Sequence, residues 1–331
     1  MIRSILLFAS IILPDVLQAF PSNIRFGYNS CAACHVDATG GSLLTPYGRM
    51  FAGEVMSSWG GKTEAGLLHG LMKTSDRLDL GGDFQYVNFK IDDYEHAFSM
   101  QREVQAAVNI KRQWYLALSA GQYGEYPNGT EVRKAYLQGT AFTNWTAKVG
   151  RFFPAFGIMS NEHLYLYRNR HFNQGRETYN AELIFRSQFF ELTATKIFGH
   201  PDDFEKGYFD GKEGWASRLS WFPNKNSSLG LSYLGLIDKY GVIENEAAAH
   251  VMWAFNQQFW IESQAAIEDA YFRIGVAPAR GLLIRPSLEY VYETRLFTKK
   301  EINIQWFPRP HFDFQLTCAK DTWIFLSHYY L

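Results

Sequence analysis

The stretch EINIQWFPRPHFDFQLT, residues 301–317, decides the fold, because apolar and polar residues alternate on both sides of a short proline-rich break. The apolar positions recur at every second residue: Ile302, Ile304 and Trp306, and then Phe312, Phe314 and Leu316. A period of two is the signature of a β-strand with one face buried. Pro308–Pro310 is a tight turn between the two runs. The stretch therefore predicts two neighbouring antiparallel strands.

The same alternation continues through most of the chain from Arg77 onward, in segments of about ten residues. It predicts about sixteen strands, an even number, as in bacterial outer-membrane barrels. We therefore expect a mainly β protein, an antiparallel transmembrane β-barrel over residues 77–331. The predicted strands are 77–90, 98–111, 113–122, 131–141, 144–153, 178–187, 189–198, 213–222, 227–236, 244–255, 257–266, 270–277, 281–293, 299–307, 311–318 and 322–330.

The lengths of the predicted connections alternate, which favours a membrane barrel over a soluble β-sandwich. The odd-numbered connections include the long segments 91–97, 123–130, 154–177 and 199–212, whereas the even-numbered ones are short turns. Long loops on one side and short turns on the other are typical of outer-membrane barrels. This pattern predicts a periplasmic N-terminus. Aromatic residues make up 17% of the chain, which suits the aromatic belts at the two membrane interfaces.

The first residues are typical of a secretory signal peptide. Arg3 precedes an apolar run, and the run is followed by Leu17-Gln18-Ala19, which resembles a cleavage site. We therefore predict a signal peptide over residues 1–19 and a small N-terminal domain over residues 20–76. The net charge of −1 gives no indication of a nucleic-acid partner. No arrangement of residues typical of a hydrolytic active site is visible.

The motif Cys31-Ala32-Ala33-Cys34-His35 has the spacing of covalent c-type haem attachment. In such motifs the two thiols form thioethers and the histidine is the proximal iron ligand. The alternative is a C-x-x-C disulfide or redox pair, which also suits an exported chain. We favour one covalent haem c, because a thioredoxin-like pair belongs to a βαβ pattern that is not visible. Cys318, the third cysteine, lies in an alternating run and is expected to be an inert, lipid-facing or packed thiol.

Thr45-Pro46 is a good helix start, and Gly60-Gly61 a good stop, so we predict an α-helix over residues 45–59. The N-terminal domain is therefore expected to be α-helical. At 100° per residue Met50 lies on the aromatic face of this helix. Met50 is accordingly our first candidate for the distal iron ligand, and the open alternatives are Met56, His69 and His163.

The combination of CAACH, the segment LTPYGRMF at 44–51 and a barrel to the C-terminus resembles the fused cytochrome–porins of the bacterial outer membrane. The best-known members of that family are iron(II) oxidases. The resemblance implies that Cys31, Cys34 and His35 attach and ligate a haem. It also implies a place in the haem domain for Pro46-Tyr47-Gly48-Arg49, without assigning these residues a role.

Two functions follow as expectations. The first is electron transfer through the outer membrane by the haem, from an external redox donor or a metal ion such as Fe(II), in contact with outer-membrane lipids. A periplasmic cytochrome is the implied partner, because the apolar band of such a barrel, about 25 Å tall, is longer than one haem. The alternative is a diffusion porin whose haem is a structural or sensory plug.

Overall fold

The computed structural model describes residues 21–29, 31–38, 40, 43–61, 63–72, 75, 77–111, 113–127, 129–159, 177–199, 212–294 and 296–331. The predicted signal peptide, residues 1–19, lies outside the described residues, and so does His163.

Sixteen antiparallel strands form a closed barrel in the described part of the chain. Their bounds follow the alternating pattern closely and confirm the predicted mainly β fold. The strands are β1 Leu78–Ile91, β2 Tyr94–Lys111, β3 Trp114–Tyr123, β4 Glu131–Phe142, β5 Trp145–Phe152, β6 Thr178–Arg186, β7 Phe190–Gly199, β8 Glu213–Trp221, β9 Ser227–Ile237, β10 Ile243–Ala254, β11 Phe259–Ala266, β12 Asp269–Ala279, β13 Leu282–Val291, β14 Leu296–Trp306, β15 Phe312–Ala319 and β16 Thr322–Tyr330.

Each strand pairs with its neighbours in sequence, and β1 pairs with β16 to close the sheet. The stretch 301–317 forms the expected neighbours, with Ile302 opposite Cys318 and Ile304 opposite Leu316. Closure leaves no strand edge unpaired, which is the condition for crossing a bilayer with strands.

The two faces of the barrel wall differ in polarity. Along β8, for example, Trp215, Leu219 and Trp221 are exposed on the outside, whereas Arg218 and Ser220 are buried in the lumen. Cys318 is exposed on β15, which agrees with the lipid-facing alternative for this thiol and not with the packed one. Apolar residues outside and polar residues inside are the pattern of a lipid-facing barrel. No helix among the described residues is long and apolar enough to cross a membrane.

The long connections lie at one end of the barrel, which we call the long-loop end. They join β3 to β4, β5 to β6 and β7 to β8. The predicted loop 91–97 is wrong, because β1 and β2 are joined by a tight turn at Asp92 and Asp93. Asp92 has a φ of 54°, a left-handed value that aspartate tolerates in hairpin turns. The sequence did not reveal the start of β2 because its first residues are polar or charged. The strand therefore begins four residues before its predicted start at residue 98.

The N-terminal segment is not an α-helical domain. Its described residues contain one short α-helix, α1 Pro46–Phe51, followed by a π-helical turn at Ala52–Met56, and short 3₁₀ helices at Pro21–Phe26, Cys31–Ala33 and Leu67–Gly70. The predicted helix 45–59 therefore begins correctly but ends early. The wider turn ends at Ser57, whose amide and hydroxyl both donate to Ala52 O, at 3.0 and 2.7 Å.

Residues 21–61, which we call the plug, enter the lumen at the short-turn end of the barrel. At this end Ser58 N donates to Phe307 O at 2.7 Å, and Asn226 Nδ2 donates to Ile24 O at 2.9 Å. The plug has little apolar core of its own, in keeping with its size. Ile24, for example, packs in one cluster with Trp260 and Leu283 of the barrel wall.

The connection between β5 and β6 folds into the lumen from the opposite end. Gly157 N donates to Ser232 Oγ of β9 at 2.9 Å, and Ile158 N donates to Gln264 Oε1 of β11 at 2.8 Å. Phe156 packs against residues of β7 to β10. The described part of this loop, residues 153–159, therefore narrows the lumen.

Candidate functional site

The CAACH motif forms a compact turn. Cys31–Ala33 is a 3₁₀ helix, and the amides of Cys34 and His35 both donate to Cys31 O, at 3.2 and 3.0 Å. Side chains three residues apart in a 3₁₀ helix are eclipsed, so Cys31 and Cys34 project in the same direction. His35 then makes an isolated β-bridge with Leu44. The spacing therefore brings the two thiols and the imidazole to one side of the plug.

The two thiols are in a poor environment for redox exchange. Burial raises the pKa of the Cys31 thiol to about 11 and that of the Cys34 thiol to about 12. Reactive C-x-x-C pairs instead have a lowered pKa, because only the thiolate attacks a disulfide. The cysteines are not joined to each other. The environment of the two thiols is therefore unlike that of a reactive C-x-x-C pair.

The segment LTPYGR is explained by contacts around the motif. Thr45 caps α1, since its Oγ1 accepts from Gly48 N at 3.1 Å, and Pro46 takes the first helical position. Gly48 must lack a side chain, because a Cβ there would lie 2.2 Å from Cys34 O. Buried Arg49 pairs with Asp79 at 3.1 Å. The segment therefore packs the helix against the motif and ties both to β1.

The barrel wall clamps the residues that follow CAACH. Gln138 on β4 accepts from Ala38 N at 3.1 Å and donates to Val36 O at 2.8 Å. Lys148 Nζ on β5 lies 2.6 Å from Asp37 Oδ1, with both side chains almost fully buried. Lys148 also lies 4.0 Å from Glu182 Oε1. These contacts, which we call the clamp, fix the motif to the inside of the barrel, and no sequence signal indicated them.

One cavity of about 500 Å³ lies against this motif inside the barrel. Cys31, Cys34 and His35 line it from the plug, and residues of β1, β2, β4, β11 to β16 and the inward loop line it elsewhere. Ligand pockets in proteins usually measure roughly 300–1,000 Å³. The structure thus brings the three predicted motif residues to a cavity of ligand size.

The lining of the cavity fits a haem. Its plug side includes the apolar residues Leu44 and Phe51 next to the cysteines, and its barrel side includes Phe307 together with Arg273 and Arg285. A haem is an apolar macrocycle with two carboxylate substituents, so it needs both kinds of surface. Within the described parts of the chain, no group of three or more His, Cys, Asp or Glu residues is placed to hold a metal ion directly.

The structure separates the candidates for a distal ligand. Met50 is half-buried on α1 and is not among the described residues that line the cavity, whereas Met56 is buried and lines it. The prediction placed Met56 on the face opposite Met50, as in a regular α-helix. The π-helical turn changes the direction of the Met56 side chain relative to that position. Met159 of the inward loop also lines the cavity and was missed.

His69 lies outside the lumen. Its Nε2 is 3.1 Å from Tyr329 Oη, and its ring stacks on Phe312 and Tyr329, which face outward. His163 lies outside the described residues. The identity of the distal ligand stays a prediction; of Met50, Met56 and His69, Met56 lines the cavity.

The fold resembles that of bacterial porins. Two engineered variants of the porin of Rh. blastica match with TM-scores of 0.59 and 0.60, each at 11% identity, over 77% of this chain and 100% of the porin. A third structure, titled "Asymmetric conductivity of engineered proteins", matches with a TM-score of 0.60 over the same shares. No family model matches this sequence, and no curated protein matches it either.

At this level of identity the likeness concerns the fold alone. It agrees with the predicted sixteen-stranded barrel and with the porin half of the predicted fusion. It gives no support to a cytochrome half, or to kinship with iron oxidases. The described chain therefore forms a closed, porin-like β-barrel with a plug in its lumen.

Proposed function

We propose that this protein is an outer-membrane electron-transfer protein that carries one c-type haem inside a porin-like barrel. One observation carries the proposal: Cys31, Cys34 and His35 line a single cavity of about 500 Å³ within the barrel. A porin that only conducts solutes has no need for this motif at that place. The lipid-facing exterior of the wall supports the membrane location.

Residues of both the plug and the barrel would hold the haem. Cys31 and Cys34 would attach the haem through thioethers, His35 would be the proximal ligand, and Met56 is the proposed distal ligand. Arg273 and Arg285 would receive the carboxylates. When bound, haem c supplies a centre that gains or loses one electron at a potential set by its ligands and its burial.

The barrel would give this centre access to both sides of the membrane. The long-loop end would face outward and admit an external redox donor or a metal ion such as Fe(II). The plug would face the periplasm and a periplasmic cytochrome. The clamp supports this arrangement, because its buried contacts hold the motif at a fixed depth in the lumen.

A diffusion porin is the second candidate, and the likeness to porins favours it. In that case the haem would be a structural or sensory plug, and the polar lumen a solute path. The plug and the inward loop both occupy the lumen, which restricts the size of any solute that passes.

Proteoliposomes distinguish the two functions. The vesicles carry the protein and enclose a soluble cytochrome c, and a membrane-impermeant reductant is added outside. Electron transfer predicts reduction of the enclosed cytochrome at a rate that falls to the protein-free level in a Cys31→Ala, Cys34→Ala variant. Diffusion predicts instead that small sugars swell the vesicles and that any reduction of the enclosed cytochrome is as fast in the Cys31→Ala, Cys34→Ala variant as in the wild type. The second result would overturn the proposal.

A further inference from the structure

The inner wall near the long-loop end reverses the polarity of the rest of the barrel. On β1, β2 and β16 six apolar side chains face the lumen there and line the same cavity as the CAACH motif: Val87, Phe89, Ile91, Phe98, Ile324 and Leu326. We call these six residues the apolar wall. The polar neighbour on this face is His96, which lies opposite Phe89 and pairs with Glu125 at 2.9 Å. Asn88 and Lys90, which alternate with them on β1, point outward. The lumen of a membrane barrel is usually lined by polar side chains, so these inward apolar residues are not explained by the barrel fold alone.

The strand register makes the apolar wall continuous. Val87 lies opposite Phe98 on one side and Leu326 on the other, and Phe89 lies opposite Ile324. Phe89 is also the centre of an aromatic group. The centroid of its ring is 6.1 Å from that of Tyr94 and 6.4 Å from that of Phe98.

This surface is open to the cavity. Phe89 and Phe98 are half-buried, and Ile91 is 47% exposed. Contiguous apolar surface left in contact with water marks a place where an apolar partner binds. The aromatic rings add edge and face contacts that favour another aromatic ring.

Polar groups lie at the end of the apolar wall nearest the plug. Gln85 Nε2 donates to Asp83 Oδ1 at 2.8 Å, and His328 Nδ1 lies 2.8 Å from Asp313 Oδ2. Gln85, Asp83 and His328 line the same cavity. An apolar surface with a few polar groups at one end is the usual composition of a small-molecule site.

We propose that the apolar wall binds an uncharged, planar aromatic molecule that carries hydroxyl or carbonyl groups. The four-residue span of β1 from Val87 to Ile91 measures about 13 Å, and three adjacent strands measure about 10 Å across. Two fused rings fit this area, with their oxygen atoms toward Gln85 and His328. The site goes beyond the proposed electron transfer and requires no haem.

Calorimetric titration of 1,4-naphthoquinone into the protein in lipid nanodiscs tests the proposal, with empty nanodiscs as the blank. The wild-type chain is expected to bind beyond the blank. Phe89→Ala and Phe98→Ala are each expected to raise Kd at least tenfold. Phe84→Ala is the matched control, since Phe84 lies on β1 but faces outward, and it is expected to leave Kd unchanged.

Three outcomes would overturn the proposal. They are no binding beyond the blank, equal weakening by Phe84→Ala and Phe89→Ala, and a Phe89→Leu variant that binds as tightly as the wild type. The last variant keeps an apolar side chain but loses the ring, and it serves if Phe89→Ala does not fold. A Cys31→Ala, Cys34→Ala variant should retain the binding. The experiment therefore tests the aromatic site separately from the haem assignment.

Discussion

Replacing Lys148 by methionine tests how the plug is held. Lys148 Nζ lies 2.6 Å from Asp37 Oδ1, and both side chains are at most 3% exposed. Glu182, also fully buried, lies 4.0 Å from the same ammonium group. Lys148→Met retains most of the side-chain volume but leaves the carboxylates of Asp37 and Glu182 without their cation.

The expected magnitude is large. Removing one partner of a buried ion pair costs about 3–5 kcal/mol, because an uncompensated charge remains. If the plug opens locally while the barrel stays closed, this cost lowers the free energy of opening the plug. Each 1.4 kcal/mol is a factor of ten, so amide exchange of residues 31–45 should accelerate by roughly 10²–10³ or more.

Hydrogen–deuterium exchange with mass spectrometry measures this effect peptide by peptide. Lys196→Met is the matched control, because Lys196 pairs with Glu213 at 3.4 Å on an exposed surface, where such a pair contributes less than about 1 kcal/mol. The double change Lys148→Met, Asp37→Leu should recover part of the protection. If Lys148→Met accelerates exchange at 31–45 no more than Lys196→Met does, the clamp does not hold the plug.

Three further predictions concern the haem and its orientation. Cys31→Ala with Cys34→Ala should abolish the peroxidase stain of the protein on a denaturing gel, and a stain that survives the change would contradict covalent attachment. Met56→Ala should shift the reduction potential and the visible spectrum, whereas Met50→Ala should change neither; the reverse result would restore the ranking predicted from the sequence. An epitope inserted at Gly211 should be accessible to antibody on intact cells, whereas one at the mature N-terminus should not, and exposure of the N-terminal epitope would reverse the assumed orientation.

The strands were predictable because one short-range rule governs them. In a lipid-facing barrel the side chains of every strand point alternately to the bilayer and to the lumen. A stretch such as 301–317 can therefore be recognised as a strand from its own sequence. The alternation rule gave the wrong result at 91–97, which was predicted to be a loop. Most of this segment belongs to β2, whose first residues include charged ones. There apolar and polar residues are mixed on the inward face, where His96 lies opposite Phe89, so the alternation of polarity does not reveal the strand.

The site was predictable in its covalent part only. CAACH is a local motif, and its spacing alone places Cys31, Cys34 and His35 together. The clamp joins Asp37 to Lys148, residues 111 positions apart, and such a pairing leaves no pattern in a single sequence. The ranking of Met50 over Met56 depended on a regular helix, and the π-helical turn removed that assumption.

The central claim is that the plug carries a covalent haem within the barrel and that this haem exchanges electrons. A redox-titrated absorption spectrum of the purified protein in detergent tests it most directly, after extraction with acidified acetone to remove any loosely bound haem. The account predicts haem bands that persist after extraction and titrate as one wave of one electron. A spectrum without haem bands, or bands that disappear on extraction, would contradict it and leave a porin-like barrel closed by a bare plug.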